Sequence, residues 1–213
     1  MKYGFKRVDV LWCISGFIAV GYAFFVSYQN YHFSDVLINL ASGYTSSIFF
    51  YFLLVWYPER QKRARVKRNI IKQYAEFKER VLGIIIHASG EAYGSDDLER
   101  LLVPAHFTEY YTGQKWYDFL NGLNPYYIGE LVVAFECLRF EVNYVLDSID
   151  VEDQEVFDFM KRLSKISREM MNKKADYDDQ KILGRFLWQF FSDWDVVSGQ
   201  LDHDPNLRLF ERI

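Results

Sequence analysis

The sequence predicts an all-α protein, with an N-terminal two-helix transmembrane hairpin followed by a cytosolic helical bundle domain. Two runs without a charged side chain lie near the N-terminus, at residues 10–34 and 36–58. The two parts of the chain carry opposite charge, with nine Lys/Arg against three Asp/Glu in residues 1–68 and 16 against 26 in residues 69–213. Half of the 213 residues are hydrophobic and 19% are aromatic, which excludes a disordered chain.

The hairpin is predicted to occupy residues 1–58, with spans at about 9–28 and 36–57. A bilayer core is crossed by about 20 apolar residues, so each run is long enough. The loop between the runs is short and polar, which makes the two spans antiparallel neighbours. Amphipathic aromatic residues fall near the expected membrane interfaces, namely Trp12, Tyr28, Tyr31, Trp56 and Tyr57.

Two other interpretations of the apolar runs compete with the hairpin. A cleaved secretory signal has a shorter apolar core than the first run and leaves the second run unexplained. The runs could also be buried core helices of a soluble protein, although core helices of this length usually keep a charged face. The hairpin accounts for both runs.

Basic residues on both flanks of the hairpin predict its orientation. Lys2, Lys6 and Arg7 precede the first span, and the connecting loop has no Lys or Arg. Because positive residues stay on the cytoplasmic side, both termini are predicted to be cytoplasmic. Residues 59–68 form a basic juxtamembrane segment that either fixes the topology alone or also attracts anionic lipid headgroups. Its cations are Arg60, Lys62, Arg63, Arg65, Lys67 and Arg68.

Each span carries small or hydroxylic residues on one helical face. Such residues let helix backbones approach closely in lipid. The two faces either pack against each other within one hairpin, or one of them lines a contact or a hydrated seam between copies in a homo-oligomer. They consist of Gly16, Ala19, Ala23 and Ser27 in the first span and Asn39, Ser42, Gly43, Ser46 and Ser47 in the second. Neither span has a charged residue at mid-membrane depth, so neither resembles an ion-coupled carrier.

Residues 69–213 are predicted to form the acidic α-helical domain. A helix leaves the basic segment and continues from Ile70 to Ala88 with apolar residues three or four apart. The next elements are predicted as a short helix over 96–103 that ends before Pro104 and two short helices over 105–123 separated by Gly113.

Three longer helices follow, each with one apolar face. The first has Asn124 as its N-cap and Pro125 in its first turn. The second is expected to begin at Asp150, and the third to cover about 178–198. Their faces are Leu131, Phe135, Leu138, Val142, Val145 and Ile149; Val156, Phe159, Met160, Leu163, Ile166 and Met170; and Leu183, Phe186, Leu187, Phe190, Phe191, Trp194 and Val197. No run shows the sustained alternation of a strand.

The apolar faces of these helices either form the domain core or provide a groove for a partner. The third helix is unusually aromatic, and Trp188 lies off its main apolar face. Large aromatic residues are enriched at protein interfaces. Trp188, Phe191 and Trp194 are therefore the candidate partner-docking residues.

The sequence contains no motif for catalysis, a metal or a cofactor. Its four histidines lack ligand spacing, and there is no C-x-x-C pair. Cys13 and Cys137 imply no disulfide framework, and Cys137 is expected to be a small buried side chain. Acidic clusters at 176–179 and 193–195 fit a helix start or a solvated face as well as a divalent-ion site. We therefore expect a protein that is not an enzyme, and the acidic domain argues against direct nucleic-acid binding.

The overall plan resembles the two-transmembrane effectors of bacterial anti-phage defence, in particular those encoded beside retron reverse transcriptases. The resemblance rests on the basic residues 2–7, the two spans through Tyr57, the basic residues 60–68 and the helical domain. It lies in architecture and transfers no functional residue.

This resemblance implies a toxin of the bacterial inner (plasma) membrane that disrupts or permeabilises the membrane when released or assembled, as in abortive infection. It also implies a regulatory protein partner for the acidic domain, in that family a reverse transcriptase–nucleic-acid complex. The alternative function is a membrane-anchored adaptor or scaffold, in which the spans only anchor the protein in the lipid bilayer and the helical domain recruits a protein partner.

Overall fold

A computed structural model describes residues 16, 18, 21, 22, 25, 28, 34–91, 94–112, 114–174, 176–192, 194, 195, 199, 200 and 204–213. The chain divides into two compact units, Met1–Lys62 and Arg63–Ile213, which are described separately. The described residues are overwhelmingly helical, so the predicted all-α class is confirmed.

The first unit consists of the apolar N-terminal part of the chain. Helix α1 covers Ser34–Tyr51 and passes into a π-helical segment, Phe52–Trp56, before helix α2 begins at Tyr57. The described residues of the first predicted span, which include Gly16 and Tyr28, are also helical. Among the described residues, a single helix is long and apolar enough to cross a membrane, so the predicted two-helix transmembrane hairpin is not shown.

The second unit is a bundle of helices of very different lengths. Its helices are α2 (Tyr57–Ala88, which begins in the first unit), α3 (Ser95–Leu101), α4 (Pro104–Tyr111), α5 (Gln114–Gly122), α6 (Pro125–Ser148), α7 (Gln154–Met171), α8 (Tyr177–Phe191) and α9 (Pro205–Glu211). Two strands of two residues each, β1 (Trp194–Asp195) and β2 (Gly199–Gln200), pair antiparallel between α8 and α9.

Side-chain caps fix where the long helices begin. The Asn124 carboxamide oxygen accepts hydrogen bonds from the backbone N–H groups of Tyr126 (2.9 Å) and Tyr127 (3.1 Å), as predicted. Helix α7 begins later than expected, because Asp153 is its N-cap and accepts from the Glu155 N–H at 3.0 Å. The backbone N-terminal to this cap is not helical.

Helix α8 ends earlier than the sequence predicts. Its last residue is Phe191, and Ser192 closes the final turn by donating its backbone N–H to the Trp188 carbonyl at 2.9 Å. The backbone at Trp194 then pairs as a strand instead of continuing the helical hydrogen bonding. Val197, predicted on the same helix face, lies outside the described residues.

The core is one cluster of buried side chains from α2 and from each later helix of the second unit. All six predicted face residues of α6 are buried, as are five of the six on α7, with Ile166 partly buried. Aromatic rings link the elements, with ring centroids 5.3 Å apart for Phe77–Phe135 and 5.2 Å apart for Tyr74–Phe210. The periodicity of the sequence therefore identified core faces, not partner grooves.

One glycine is required by the packing of the short helices. A Cβ atom at Gly122 would lie 1.7 Å from the backbone carbonyl oxygen of Ala88. The end of α5 therefore packs directly on the end of α2, at a distance that no side chain permits.

The C-terminal helix α9 was not predicted. Asp204 is its N-cap, and Pro205 occupies its first turn. This Asp-Pro pair is a helix-start signal that the sequence alone displays. The Asp204 carboxylate also accepts a hydrogen bond from the Tyr74 hydroxyl at 2.8 Å and pairs with Lys78 Nζ at 3.0 Å. These contacts attach α9 to α2.

Candidate membrane helix and docking surfaces

The most apolar part of the described chain points its side chains outward. The apolar window of the helix within Asn39–Ala88 has none of its residues buried, and the π-helical segment Phe52–Trp56 also has none. The exposed large side chains here are Leu40, Phe49, Phe50, Tyr51, Phe52, Leu53, Leu54, Val55 and Tyr57. In water this exposure of apolar surface is unfavourable, whereas in lipid it is favourable.

Aromatic and basic side chains meet at the end of the apolar helix. The rings of Phe52 and Trp56 stack with centroids 4.6 Å apart, and the Arg60 guanidinium lies over the Trp56 ring at 5.0 Å. Trp and Arg are common where a helix leaves a bilayer, because each combines an apolar body with a polar end. This pair marks the transition from apolar to basic sequence.

Gly16 lies against helix α1. It is buried, and a Cβ atom at this position would be 2.6 Å from Ile48 Cδ1 and 3.1 Å from Tyr44 Cε1. The first apolar run thus approaches α1 at a distance that suits glycine. The other predicted members of its small face, Ala19, Ala23 and Ser27, lie outside the described residues.

The small polar face of α1 is not the face that Gly16 contacts. Asn39, Ser42, Gly43, Ser46 and Ser47 are all exposed, and a Cβ atom at Gly43 would meet no atom of the described residues within 4 Å. The Ser47 hydroxyl donates to the Gly43 carbonyl at 2.8 Å, so it is satisfied within its own helix. In the described residues, the two small faces are therefore not seen to pack on each other.

The six cations of the basic segment have different surroundings. In the second unit, Arg63 pairs with Glu152 at 3.3 Å, and Lys67 Nζ donates to the Glu211 backbone carbonyl. Arg68 Nε bonds the Ala64 carbonyl one turn back at 3.3 Å. The remaining three cations, Arg60, Lys62 and Arg65, have exposed side chains. Two of the six are thus held by residues from other segments of the second unit: Glu152, just before α7, and Glu211, at the end of α9.

The three candidate docking aromatics lie in three different environments. Phe191 is 2% exposed and lies 5.3 Å from the Phe107 ring, so it is a core residue and is removed from the candidates. Trp188 is partly buried and packs against the core. Trp194 lies in β1, beyond the end of α8. For Trp194, helical periodicity failed because α8 ends before the predicted face is complete, whereas Phe191 lies on that face within α8.

A cleft of about 480 Å³ lies near the end of α2, where sequence reasoning proposed nothing. Its polar lining includes Glu91, Arg100, His106 and Tyr110. Burial, and then the hydrogen bond to Glu91, raise the pKa of Tyr110 to about 12, and the bond from Lys115 lowers the pKa of Glu91. Both shifts move away from neutrality, so neither group is adjusted for proton transfer near pH 7.

The remaining candidates for chemistry are isolated in the described part of the chain. No three His, Cys, Asp or Glu side chains there are arranged to hold a metal ion. Cys137 is exposed, which corrects its expected burial. It lies off the face of α6 that carries the buried Leu138, Val142 and Val145.

Comparison with known proteins returned no family model, no curated protein and no solved structure that matches this chain.

Proposed function

We propose that the protein is a multi-pass effector of the bacterial inner membrane, with both termini cytoplasmic, that permeabilises the membrane when it is released or assembled, as in abortive infection. The observation that carries this proposal is the outward-facing apolar helix, none of whose apolar window is buried. Its exposed rings and branched side chains suit a lipid environment.

The contact at Gly16 supports a second span packed against α1. The first apolar run is long enough to cross a bilayer, and Gly16 meets α1 at Tyr44 and Ile48. The basic residues on both flanks support cytoplasmic termini, since the connecting loop has no Lys or Arg.

The exposed small face of α1 supports assembly between copies. With Gly16 on the face of Tyr44 and Ile48, the face of Asn39, Gly43, Ser46 and Ser47 is open to a neighbour. Asn39 carries a carboxamide, which gains from a polar partner in lipid. A homo-oligomer that shares this face would create a seam through which ions leak.

A regulatory protein partner is part of the proposal. The second unit is acidic, which favours a basic protein as partner, such as the protein part of a reverse transcriptase–nucleic-acid complex. Binding of that partner would hold the effector inactive until release.

The proposal is tested by membrane potential during induced expression of the full chain. We expect a potential-sensitive dye to report depolarisation within minutes. Gly43→Leu should abolish depolarisation while leaving insertion intact, because leucine blocks close helix approach. Gly21→Leu is the matched control, since a Cβ atom at Gly21 would also meet no described atom within 4 Å, and Gly21 lies about 140° around the helix from Gly16.

Two results would contradict the effector proposal. A normal membrane potential despite full insertion, without any neighbouring regulator, would rule out permeabilisation by the released protein. Depolarisation that survives Gly43→Leu would rule out the small-face mechanism.

The second candidate function is a membrane-anchored adaptor, and one observation favours it. The second unit has an exposed apolar stripe on α6, which includes Tyr126, Phe140 and Tyr144. Such a stripe on a folded domain is typical of a binding surface. Under this alternative we expect three results together: full membrane insertion, an undisturbed membrane potential, and recruitment of a partner by the second unit.

A further inference from the structure

Helix α6 has a second apolar stripe, on the side turned away from the core. Its members are Tyr126, Val133, Cys137, Phe140 and Tyr144, separated by seven, four, three and four residues. All five are exposed, with Tyr126 at 68% and Phe140 at 67%. We call these five residues the outer stripe.

The outer stripe is not needed for the fold of its own chain. The opposite side of α6 supplies Leu131, Leu138, Val142 and Val145, which are each about 1% exposed or less. A surface helix that is apolar on its core side normally has polar residues on the other. Two apolar sides on one helix indicate that the second one is covered by something else.

The spacing of the outer stripe suits another helix. Apolar residues alternating by three and four form the seam along which two helices interlock their side chains. From Tyr126 to Tyr144 the seam is about 27 Å long at 1.5 Å per residue. Gly129 lies at its edge, and a Cβ atom there would meet no atom of the described residues within 4 Å, so the described structure leaves the seam open beside it.

Charges on the two edges of the stripe select the partner. On the edge next to α2, Glu130 pairs with Arg80 at 2.8 Å and Glu141 accepts from Asn69 at 2.6 Å. On the other edge, Glu136 and Asp147 are exposed and make no ion pair with any residue that the structure describes. This edge therefore presents two uncompensated carboxylates beside an apolar seam.

The acidic edge disfavours a second copy of the chain as the occupant. If two α6 helices paired antiparallel about Cys137, Glu136 would face Glu136 of the other copy, and like charges across a helix pair repel. A helix with Lys or Arg beside its apolar stripe instead meets Glu136 and Asp147 with opposite charge.

We propose that the outer stripe of α6 is a docking site for an amphipathic helix of a second protein, with apolar residues in three–four spacing and Lys or Arg on its flank. This is helix-to-helix recognition, in which the apolar seam gives affinity and the charged edge gives selectivity. The proposal does not depend on membrane permeabilisation and stands if that function fails.

The test uses two synthetic 21-residue helices with the same leucine stripe, one flanked by Lys and one by Glu. Binding to the full chain in phosphatidylcholine nanodiscs is measured by fluorescence anisotropy, with empty nanodiscs subtracted. We expect the Lys-flanked peptide to bind at least tenfold more tightly than the Glu-flanked peptide. The preference should weaken with added salt.

Three variants separate docking on the stripe from general attraction to an acidic protein. Phe140→Asp should weaken binding of the Lys-flanked peptide at least tenfold, although this substitution adds a negative charge that would attract the peptide. The double variant Glu136→Lys, Asp147→Lys should reverse the preference between the two peptides. Ile182→Asp is the matched control, because Ile182 is 47% exposed on α8, and binding should change less than twofold. Unchanged circular dichroism of each variant confirms folding.

Other occupants of the stripe give different results. Equal binding of the two peptides, or binding unaffected by Phe140→Asp, overturns the proposal. Self-association of the full chain that Phe140→Asp abolishes in sedimentation velocity also overturns it, since a second copy would then cover the stripe.

Discussion

Phenylalanine side chains have opposite environments in the two units of the molecule. In the first unit Phe49 and Phe50 are 59% and 58% exposed, whereas in the second unit Phe77, Phe119 and Phe135 are at most 4% exposed. Both sets lie in helices, so helix formation alone does not explain the difference. The second unit has several helices to cover these rings, and α1 has few described neighbours.

This difference teaches that exposure of an apolar side chain has a different meaning in each unit. A helix whose rings all face outward is stable if the surrounding solvent is apolar, as a bilayer is. In the second unit, where the core is well formed, an exposed ring such as Phe140 instead belongs to the surface for which we propose a protein partner. The predictions below test this distinction.

The largest expected effect is on the core of the second unit. Phe135→Ala should lower the free energy of unfolding by about 3–5 kcal/mol, because its ring contacts Phe77 and Phe186 and truncation leaves a cavity. Phe140→Ala on the same helix should change it by less than about 0.5 kcal/mol. Denaturant unfolding followed by circular dichroism measures both, and equal losses would contradict the assigned faces of α6.

The buried ion pair between α2 and α9 gives the next effect. Lys78 and Asp204 have side chains 8% and 14% exposed. Lys78→Met should destabilise the second unit by roughly 3 kcal/mol, since the carboxylate is left without its counter-charge. Thermal unfolding checks this, with Lys72→Met as the exposed control. An unchanged melting temperature would show that the hydrogen bonds from Tyr74 and the α9 backbone are enough to stabilise the Asp204 carboxylate without Lys78.

The apolar helix of the first unit is tested by a charge near its middle. Phe49→Arg should make membrane insertion less favourable by about 2.5–3.5 kcal/mol, which is the cost of Arg near the centre of a span. Val103→Arg, at an exposed apolar position in the second unit, should leave insertion unchanged. Carbonate extraction of membranes quantifies the inserted fraction. Full insertion of Phe49→Arg would argue against a span centred there.

The smallest effect concerns the surface contact of α9 with the start of α7. A hydrogen bond from the Arg212 guanidinium, 2.5 Å away, holds the pKa of Asp153 below its usual value of 3.8. The stabilisation is therefore present above about pH 4 and is lost as the pH falls through the lowered pKa. Arg212→Gln should lower the melting temperature at pH 7, and the difference from the unsubstituted protein should narrow in acid. A melting-temperature difference that stays constant as the pH falls would contradict the assignment of this stabilisation to the ionised Asp153 carboxylate.

Much of the fold could be predicted from the sequence because helix signals are local. The cap at Asn124, the three–four spacing on α6 and α7, and the continuation of a helix to Ala88 each depend on residues a few positions apart. The candidate membrane helix was predictable for the same reason, since it is a contiguous run of apolar residues.

The candidate docking surface could not be predicted in this way. Periodicity placed Phe191 on an apolar face without deciding between a core and a partner groove, and Phe191 proves to be in the core, whereas Phe140, off the predicted face of its helix, is exposed. Which side of a helix is covered depends on neighbours far away in sequence. The unpredicted α9 shows the same dependence, because its attachment joins Asp204 to Tyr74 and Lys78.

By itself, the sequence determined the helical class, the apolar run of α1 and the charge difference between the two parts of the chain, since these follow from composition and short-range spacing. The tertiary structure decided that Cys137 is exposed, that Phe191 is buried and that Gly16 meets Tyr44 and Ile48. These outcomes depend on which surfaces meet when the chain folds, and such long-range contacts have no signature in a short stretch of sequence.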